Sequence, residues 1–309
     1  MQNPIYIVGV GAIGMTVAVL LKQSGNAVML LRGRQGSPPE TGETSLTVEC
    51  NDGTTRTATI PIRTLEQVDL LNGLILLTSK SYGNQALAER LKGKTGQSPL
   101  LLLQNGLGIE EPFLAAGFPE VFRCVLLATS QVQAPYTVRY KPVAASPVGV
   151  IRGHESRLGE LVSQLSTPEF PFRAEQAIQQ TIWGKVIINC VFNAICPLLG
   201  VDNGLFHRDA TALALAGEII DECVAVAAEA GVVLNRQEVE EGLLQVSRRS
   251  DGQLISTLVD IHHGRETEID SLNLAVSGLA HRLGKPELAR RTQLLGELIR
   301  LKAEMRRVR

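Results

Sequence analysis

A chain of 309 residues, 44% of them hydrophobic, has apolar mass for about two domains, each with its own core. Its formal net charge of -1 excludes the global basic charge that draws a protein to nucleic acid or an anionic membrane. The 5 cysteines are odd in number and include no C-x-x-C pair, which excludes a disulfide frame and a zinc site of that type; the first strand begins almost at Met1, leaving no room for a signal peptide, and no uninterrupted apolar run is long enough to span a bilayer, so a cytoplasmic protein is expected.

Ile5-Tyr6-Ile7-Val8 reads as a buried parallel strand, and Ala12 to Gln23 as the helix after it, with Val17, Leu20 and Leu21 on one face. The stretch Gly9, Val10, Gly11, Ala12, Ile13, Gly14 joins them at the G-x-G-x-x-G spacing. Gly9 allows the tight turn, Gly11 lets a pyrophosphate approach the backbone, and Gly14 lets the helix close on the strand. The helix N-terminus then offers N–H groups and the positive end of its dipole. Such a triplet also occurs in ordinary strand–helix turns. Here the strand before it, the helix after it and a second strand over Ala27 to Leu31 point to a dinucleotide.

An NAD site places an acidic residue about 20 positions on, where it bonds the ribose 2′-hydroxyl. This chain has Leu30-Leu31-Arg32-Gly33-Arg34 there. A carboxylate repels a 2′-phosphate and a guanidinium binds it, so the expected cofactor is NADPH, held by Arg32 with Arg34 as helper.

Residues 35 to 43 read as a loop rich in Gly, Pro and Ser, followed by a hairpin around Asn51-Asp52-Gly53 inserted into the plain βαβ order. Leu74 to Thr78 and Leu100 to Leu103 read as further strands. Lys80, and Gln104 with Asn105, stand at their carboxyl ends, where open α/β sheets bind ligands. A surface lysine and a turn asparagine are common in such places, but two polar groups at equivalent strand ends point to a site. Cys124 to Ala128 and Thr137 to Tyr140 read as β-like, residues 155 to 165 as helical, and Pro168 to Pro171 as a break. The domain boundary is expected near Arg173, giving domains 1–173 and 174–309.

After Glu175 the pattern turns helical. Lys185, Asn189 and Asn193 stand four residues apart in the otherwise apolar run Trp183 to Asn193, so all three share one gently drifting stripe. Polar groups buried there need partners. Either they hydrogen-bond another helix while the lysine reaches water, or they wall an active site in which Lys185 supplies a proton to an oxyanion formed by hydride transfer. Cys190, on the same helix, reads as packing. Ser256 to Asp270 holds polar groups enough for a second half-site, or is a solvated helix–loop–helix. His262 and His263 are adjacent and face different ways, so no metal site is expected. The arginine pairs at 248–249, 290–291 and 306–307 read as solvated helix faces.

Taken together, these stretches resemble the 2-dehydropantoate 2-reductases, or ketopantoate reductases, over nearly the whole length. The resemblance rests on the glycine turn with its following arginine, Lys80, Gln104-Asn105-Gly106, Trp183-x-Lys185-x-x-x-Asn189-x-x-x-Asn193, and Ser256 through Gly264-Arg265-x-Thr267-Glu268-Ile269-Asp270. It implies an N-terminal Rossmann-type α/β domain followed by an all-α domain, and NADPH-dependent reduction of 2-dehydropantoate to pantoate in pantothenate biosynthesis. It implies Lys185 as general acid and Asn105, Asn189, Asn193 and Ser256 as substrate contacts. Glu268 becomes the carboxylate near the substrate hydroxyl or the cofactor amide, and Lys80 assists on the cofactor side. A helical second domain commonly supplies a dimer interface in similar proteins, so a homodimer joins the expectations. The chain departs from the family's usual residues at Thr257 (commonly methionine), Gln253 (asparagine), Val259 (glutamine) and Leu274 (glycine). These changes leave the hydride chemistry intact and bear on substrate identity. A paralogous reductase of another branched or aromatic 2-oxo acid is the second expectation, and a non-catalytic NADP(H)-binding sensor the third.

Overall fold

A computed structural model describes residues 3–34, 36 and 42–307. Residues 35 and 37–41 of the Gly/Pro/Ser-rich stretch lie outside the described residues. The chain divides into two units, Met1–Gln104 with Ile109–Ile178, and Asn105–Gly108 with Gln179–Arg309.

Among the described residues the first unit is built on a sheet of 11 strands in the order β11-β10-β7-β6-β5-β1-β2-β4-β3-β9-β8. In chain order its elements are β1 (Ile5–Val8), α1 (Ala12–Gln23), β2 (Val28–Arg32), β3 (Glu43–Cys50), β4 (Thr55–Thr64), β5 (Leu74–Leu77), α2 (Asn84–Leu91), β6 (Leu100–Leu102), α3 (Glu111–Ala115), β7 (Val121–Cys124), β8 (Ala128–Ala134), β9 (Thr137–Pro142), β10 (Ser146–Arg152), α4 (Leu158–Leu165) and β11 (Phe172–Ala174). From β7 through β6, β5, β1 and β2 to β4 the strands run parallel. Their continuous Leu, Ile and Val runs follow from burial on both faces. Leu20 and Leu21 of α1 and Leu158 and Leu165 of α4 belong to the core on one face. Leu87 and Leu91 of α2 and Phe113 of α3 belong to the core on the other. The strand order reverses at β1, which lies between β2 and β5, so a crevice opens at the carboxyl ends of β1 and β5.

The hairpin read around Asn51-Asp52-Gly53 is present, with Gly53 at φ +83° and the Asp52 carboxylate accepting from the Thr54 N–H at 2.9 Å and hydroxyl at 2.7 Å. It is more than an insertion. The first part of β4 pairs antiparallel with β3 and its last residues pair parallel with β2, so one long strand welds the hairpin to the main sheet. The strand read over Cys124 to Ala128 forms instead at Val121–Cys124, where it finds partners in both β6 and β10. The Leu127 carbonyl accepts from the Val143 and Ala144 N–H groups, so the chain has left the parallel ladder there. The boundary expected near Arg173 falls inside β11, which pairs with β10, and the sheet unit continues to Ile178. Gly149 permits that continuation: a Cβ there would lie 2.4 Å from the Ile178 Cβ. At the far edge β8 is largely exposed and its pairing with β9 is interrupted by a bulge between Val132 and Ala134.

The second unit contains α5 (Ile178–Leu199), α6 (Leu205–Arg208), α7 (Ala210–Glu229), α8 (Arg236–Arg249), α9 (Ser256–His262), α10 (Asn273–Arg282) and α11 (Arg290–Arg307). Asp209 caps α7 by accepting from the Ala212 N–H, and Asn235 caps α8 by accepting from the Gln237 N–H. Among the described residues α5 is the one helix long and apolar enough to cross a membrane, but 67% of its apolar window is buried within the protein. Cys190 and Val191 of α5 are fully buried. Asn273, at the start of α10, donates from Nδ2 to the Cys190 carbonyl at 3.1 Å.

A largely buried charge pair stands inside the sheet unit. Arg123 on β7 is 2% exposed and forms an ion pair with Glu110, the residue preceding α3. Removing one partner of such a pair leaves an uncompensated charge. Arg123→Met is expected to cost about 3–5 kcal/mol in denaturant unfolding, and adding Glu110→Gln to recover much of the loss. A loss below about 1 kcal/mol for the single change would show that the pair contributes nothing net.

Candidate active site

In the sheet unit the predicted cofactor residues gather at the carboxyl ends of four strands. The glycines of the first turn divide into two kinds. Gly9 has φ +129°, and a Cβ there would lie 2.5 Å from the Ser79 nitrogen; a Cβ on Gly14 would lie 1.9 Å from the Gly9 carbonyl oxygen. Both are required by the protein's own packing. Gly11 has an ordinary φ of −94°, and a Cβ there would meet nothing within 4 Å. Neither conformation nor internal packing asks for glycine at 11, so its bare backbone leaves room for something outside the chain. Gly11 is also the N-cap of α1 with no side-chain cap, and the first turn carries no acidic residue. The N–H groups of that turn, around the half-buried Ala12 and Ile13, fit an anionic phosphate. Val10 is half-buried beside them.

Thr78, read only as a strand end, turns out to hold this turn in place. Its Oγ1 donates to the Gly9 carbonyl at 3.0 Å and lies 3.3 Å from that of Val8. Arg32 ends β2 half-buried, Arg34 is exposed, and Lys80 is exposed before a short 3₁₀ turn at Ser81–Gly83. Gln104 is buried, and its amide is committed to the protein. It exchanges hydrogen bonds with the Asn84 amide at 2.8 and 2.9 Å and donates to the Ser79 carbonyl at 2.8 Å. The Gln104 side chain therefore acts on the site by tying the loop after β5 to the end of β6. Asn84 carried no signal in the sequence, because its partner lies in a different strand–helix unit.

The helical unit collects the predicted substrate residues. Lys185 and Asn189 are half-buried on α5, and Asn193 is buried one turn further on. The Asn193 Nδ2 donates to the Asn189 carbonyl at 3.0 Å, and its Oδ1 accepts from the Thr257 hydroxyl at 2.7 Å. That bond joins α5 to α9, whose first residue is the exposed Ser256. Asn105 is half-buried on a short loop fastened to the turn after Glu268: the Leu107 N–H donates to the Ser271 carbonyl at 2.8 Å, while the Glu268 carbonyl accepts from the Ser271 hydroxyl at 3.0 Å. Gly106 makes this contact possible, since a Cβ there would lie 2.6 Å from the Ser271 Cβ. The ammonium of Lys185, the amides of Asn105 and Asn189 and the hydroxyl of Ser256 are donors of the kind suited to a polarised oxygen or an anion. Burial pushes the Cys190 thiol well up, in keeping with its reading as packing, and no cluster of three metal-ligating side chains occurs among the described residues.

Two family profiles match the chain: ketopantoate reductase PanE/ApbA over residues 5–150, and the C-terminal ketopantoate reductase PanE/ApbA region over residues 177–303. The chain belongs to the ketopantoate reductase family. It is an oxidoreductase of that family, similar to proteins named 2-dehydropantoate 2-reductase. The relative from Halobacterium salinarum is 29% identical over 96% of this chain and 98% of its own length, and that from Pyrococcus abyssi is 26% identical over 87% and 88%. The fold is shared with a ketopantoate reductase from Ralstonia eutropha (TM-score 0.83, 22% identity, 98% of this chain and 99% of that one). It is shared equally with D-mandelate dehydrogenase, solved with NADH and anilino(oxo)acetate (TM-score 0.83, 24% identity, 98% and 99%).

The two kinds of glycine separate in a stability measurement. Gly14→Ala is expected to lower the melting temperature by several degrees, because its Cβ meets the Gly9 carbonyl. Gly11→Ala is expected to leave it within about 1 °C. Equal losses at both positions would mean that Gly11 is also a packing residue.

Proposed function

We propose that the chain reduces 2-dehydropantoate to pantoate with NADPH, a step of pantothenate biosynthesis. The observation that carries this reading is the Lys185, Asn189, Asn193 stripe in a stretch of helix whose other side chains from Trp183 to Cys196 are apolar and mostly buried, in a chain whose relatives are named 2-dehydropantoate 2-reductase.

The residues present fit a nicotinamide dinucleotide. Gly11 and the uncapped first turn of α1 would hold the pyrophosphate, and Arg32, at a strand end without a carboxylate, would pair with a 2′-phosphate. Lys80 assists on the same side, and Gln104 keeps the strand-end loops in register. When bound, the nicotinamide supplies the hydride. On the substrate side Asn105, Asn189 and Ser256 donate to the acid's oxygens and fix the keto carbon in one orientation. The Lys185 ammonium donates to the 2-oxo oxygen, stabilises the charge that grows there and passes it a proton. Glu268 accepts from a substrate hydroxyl or from the cofactor's amide.

A second reading, another branched or aromatic 2-oxo acid as substrate, is supported by Thr257 at the Asn193 contact and by the equal likeness in fold to a dehydrogenase solved with an oxo-acid ligand. A homodimer is also proposed. The exposed Leu294, Leu298, Leu301 and Met305 make an apolar stripe on α11, and the similar Staphylococcus aureus ketopantoate reductase is described as dimeric.

NADPH oxidation with 2-dehydropantoate, run beside other 2-oxo acids and repeated with NADH, tests the substrate and cofactor together. The expected result is a preference for 2-dehydropantoate and NADPH; turnover only with another acid favours the second reading. Lys185→Ala is expected to lower kcat by about 10² or more with the fold intact. Arg32→Ala is expected to raise KM for NADPH about tenfold while leaving that for NADH unchanged. Near-normal turnover by folded Lys185→Ala would remove Lys185 from its role, and equal effects on both cofactors would remove Arg32 from the 2′-phosphate.

A further inference from the structure

Asn193 is an amide with a fixed direction. The Asn189 carbonyl can only accept, so the Asn193 Nδ2 must face it, as it does at 3.0 Å. Oδ1 then points the other way and needs a donor. The Thr257 hydroxyl fills that place at 2.7 Å. Asn193 is 4% exposed and Thr257 3%, so neither relies on bulk water. Once the hydroxyl is bound, the Asn193 carbonyl oxygen is already paired through one of its two lone pairs, one amide hydrogen is held by α5, and the second N–H is left over.

We propose that Thr257 is a specificity determinant: by pairing the Asn193 carbonyl it spares that oxygen the need for a hydrogen from the substrate, so the site does not require a substrate oxygen there to carry one. This rests on the reductase reading above and on Asn193 as a substrate contact. A site whose amide oxygen is open takes a hydrogen bond from a substrate hydroxyl and rejects the analogue lacking it, because the polar group is then left unpaired. With Thr257 in place the oxygen is already paired whichever acid is bound. The chain therefore tolerates 2-oxo acids with and without a hydroxyl at that position. The nature of residue 257, one position from the substrate-facing Ser256, sets that tolerance.

The test couples a hydroxyl on the protein to a hydroxyl on the substrate. 2-Dehydropantoate carries a 4-hydroxyl, and 3,3-dimethyl-2-oxobutanoate is the same acid without it. The ratio of their kcat/KM values is measured for the unaltered enzyme, Thr257→Val and Thr257→Ser. Thr257→Val removes the donor at nearly constant shape and frees Oδ1 for the substrate. Its ratio is expected to rise about five- to tenfold in favour of the hydroxylated acid, mainly through KM, with kcat nearly unchanged. Thr257→Ser keeps the donor and is expected to hold the unaltered ratio within about twofold. A purely structural role would lower stability or overall activity but would leave the ratio where it was. An unmoved ratio in Thr257→Val overturns the assignment, as does a Thr257→Ser ratio that moves with it, which would make the methyl group the determinant. If Thr257→Val does not fold, Thr257→Ala against Thr257→Ser reads the same ratio. No turnover of either acid by the unaltered enzyme overturns the reductase reading and this inference with it.

Discussion

At the carboxyl end of β1 the backbone of Gly9, the first turn of α1 and the Thr78 side chain share a space that admits no further carbon. The Gly9 carbonyl lies where a Gly14 Cβ would stand, and the Thr78 hydroxyl approaches that same carbonyl. A hydroxyl has one hydrogen, and Thr78 directs it to the neighbouring turn instead of to its own strand's ladder. The turn after β1 and the end of β5 are therefore fixed to each other. The direction in which α1 leaves the sheet, and so the direction of its unsatisfied N–H groups, follows from this contact. Gly11 projects from this tightly packed turn without taking part in its packing. A phosphate-binding turn needs that combination: a rigid frame that leaves one face bare.

The same division between anchored and available groups recurs among the side-chain amides. Gln104 and Asn84 satisfy each other and hold Ser79. Asn193 is satisfied by Asn189 and Thr257. By contrast, Asn189 and Ser256 make no side-chain hydrogen bond among the described residues. Buried amides without partners are costly, so the buried ones here are paired, while the half-buried Asn189 and the exposed Ser256 keep access to the surface. On the Lys185 helix, Asn193 is the amide that ties its own helix to Thr257 of α9.

What could be read from the residues alone followed from how local the causes were. The strands Ile5–Val8 and Leu74–Leu77 are legible because burial on both faces demands unbroken apolar runs. The β3–β4 hairpin is legible because Asn-Asp-Gly meets the turn's backbone needs within a few residues. The polar stripe on α5 is legible because helical spacing is regular. The position of β7 was not: Val121 to Ala128 is apolar for much of its length, and the choice of Val121–Cys124 is made by pairing with β6 and β10, both distant in sequence. β11 was hidden in the same way, being three residues long and paired with the distant β10. The Asn84–Gln104 pair and the Arg123–Glu110 pair each join groups from different elements, so no pattern in either segment announces the other. Thr257 was visible as a departure from the family's habit, but its partner appeared only once α5 and α9 were folded.

A sheet of eleven strands that does not close has two ends, and each offers a row of backbone donors and acceptors to any passing chain. One end is the three-residue β11, too short to template much. The other is β8, seven residues long and mostly exposed. There the bulge between Val132 and Ala134 breaks the spacing of the outward-facing groups, and Thr129, Ser130, Gln131 and Gln133 give the strand polar side chains where a sticky edge would carry aliphatic ones. The extension that enlarges the sheet beyond its parallel centre thus also terminates it: strand-by-strand polymerisation meets an irregular, hydrated last rung.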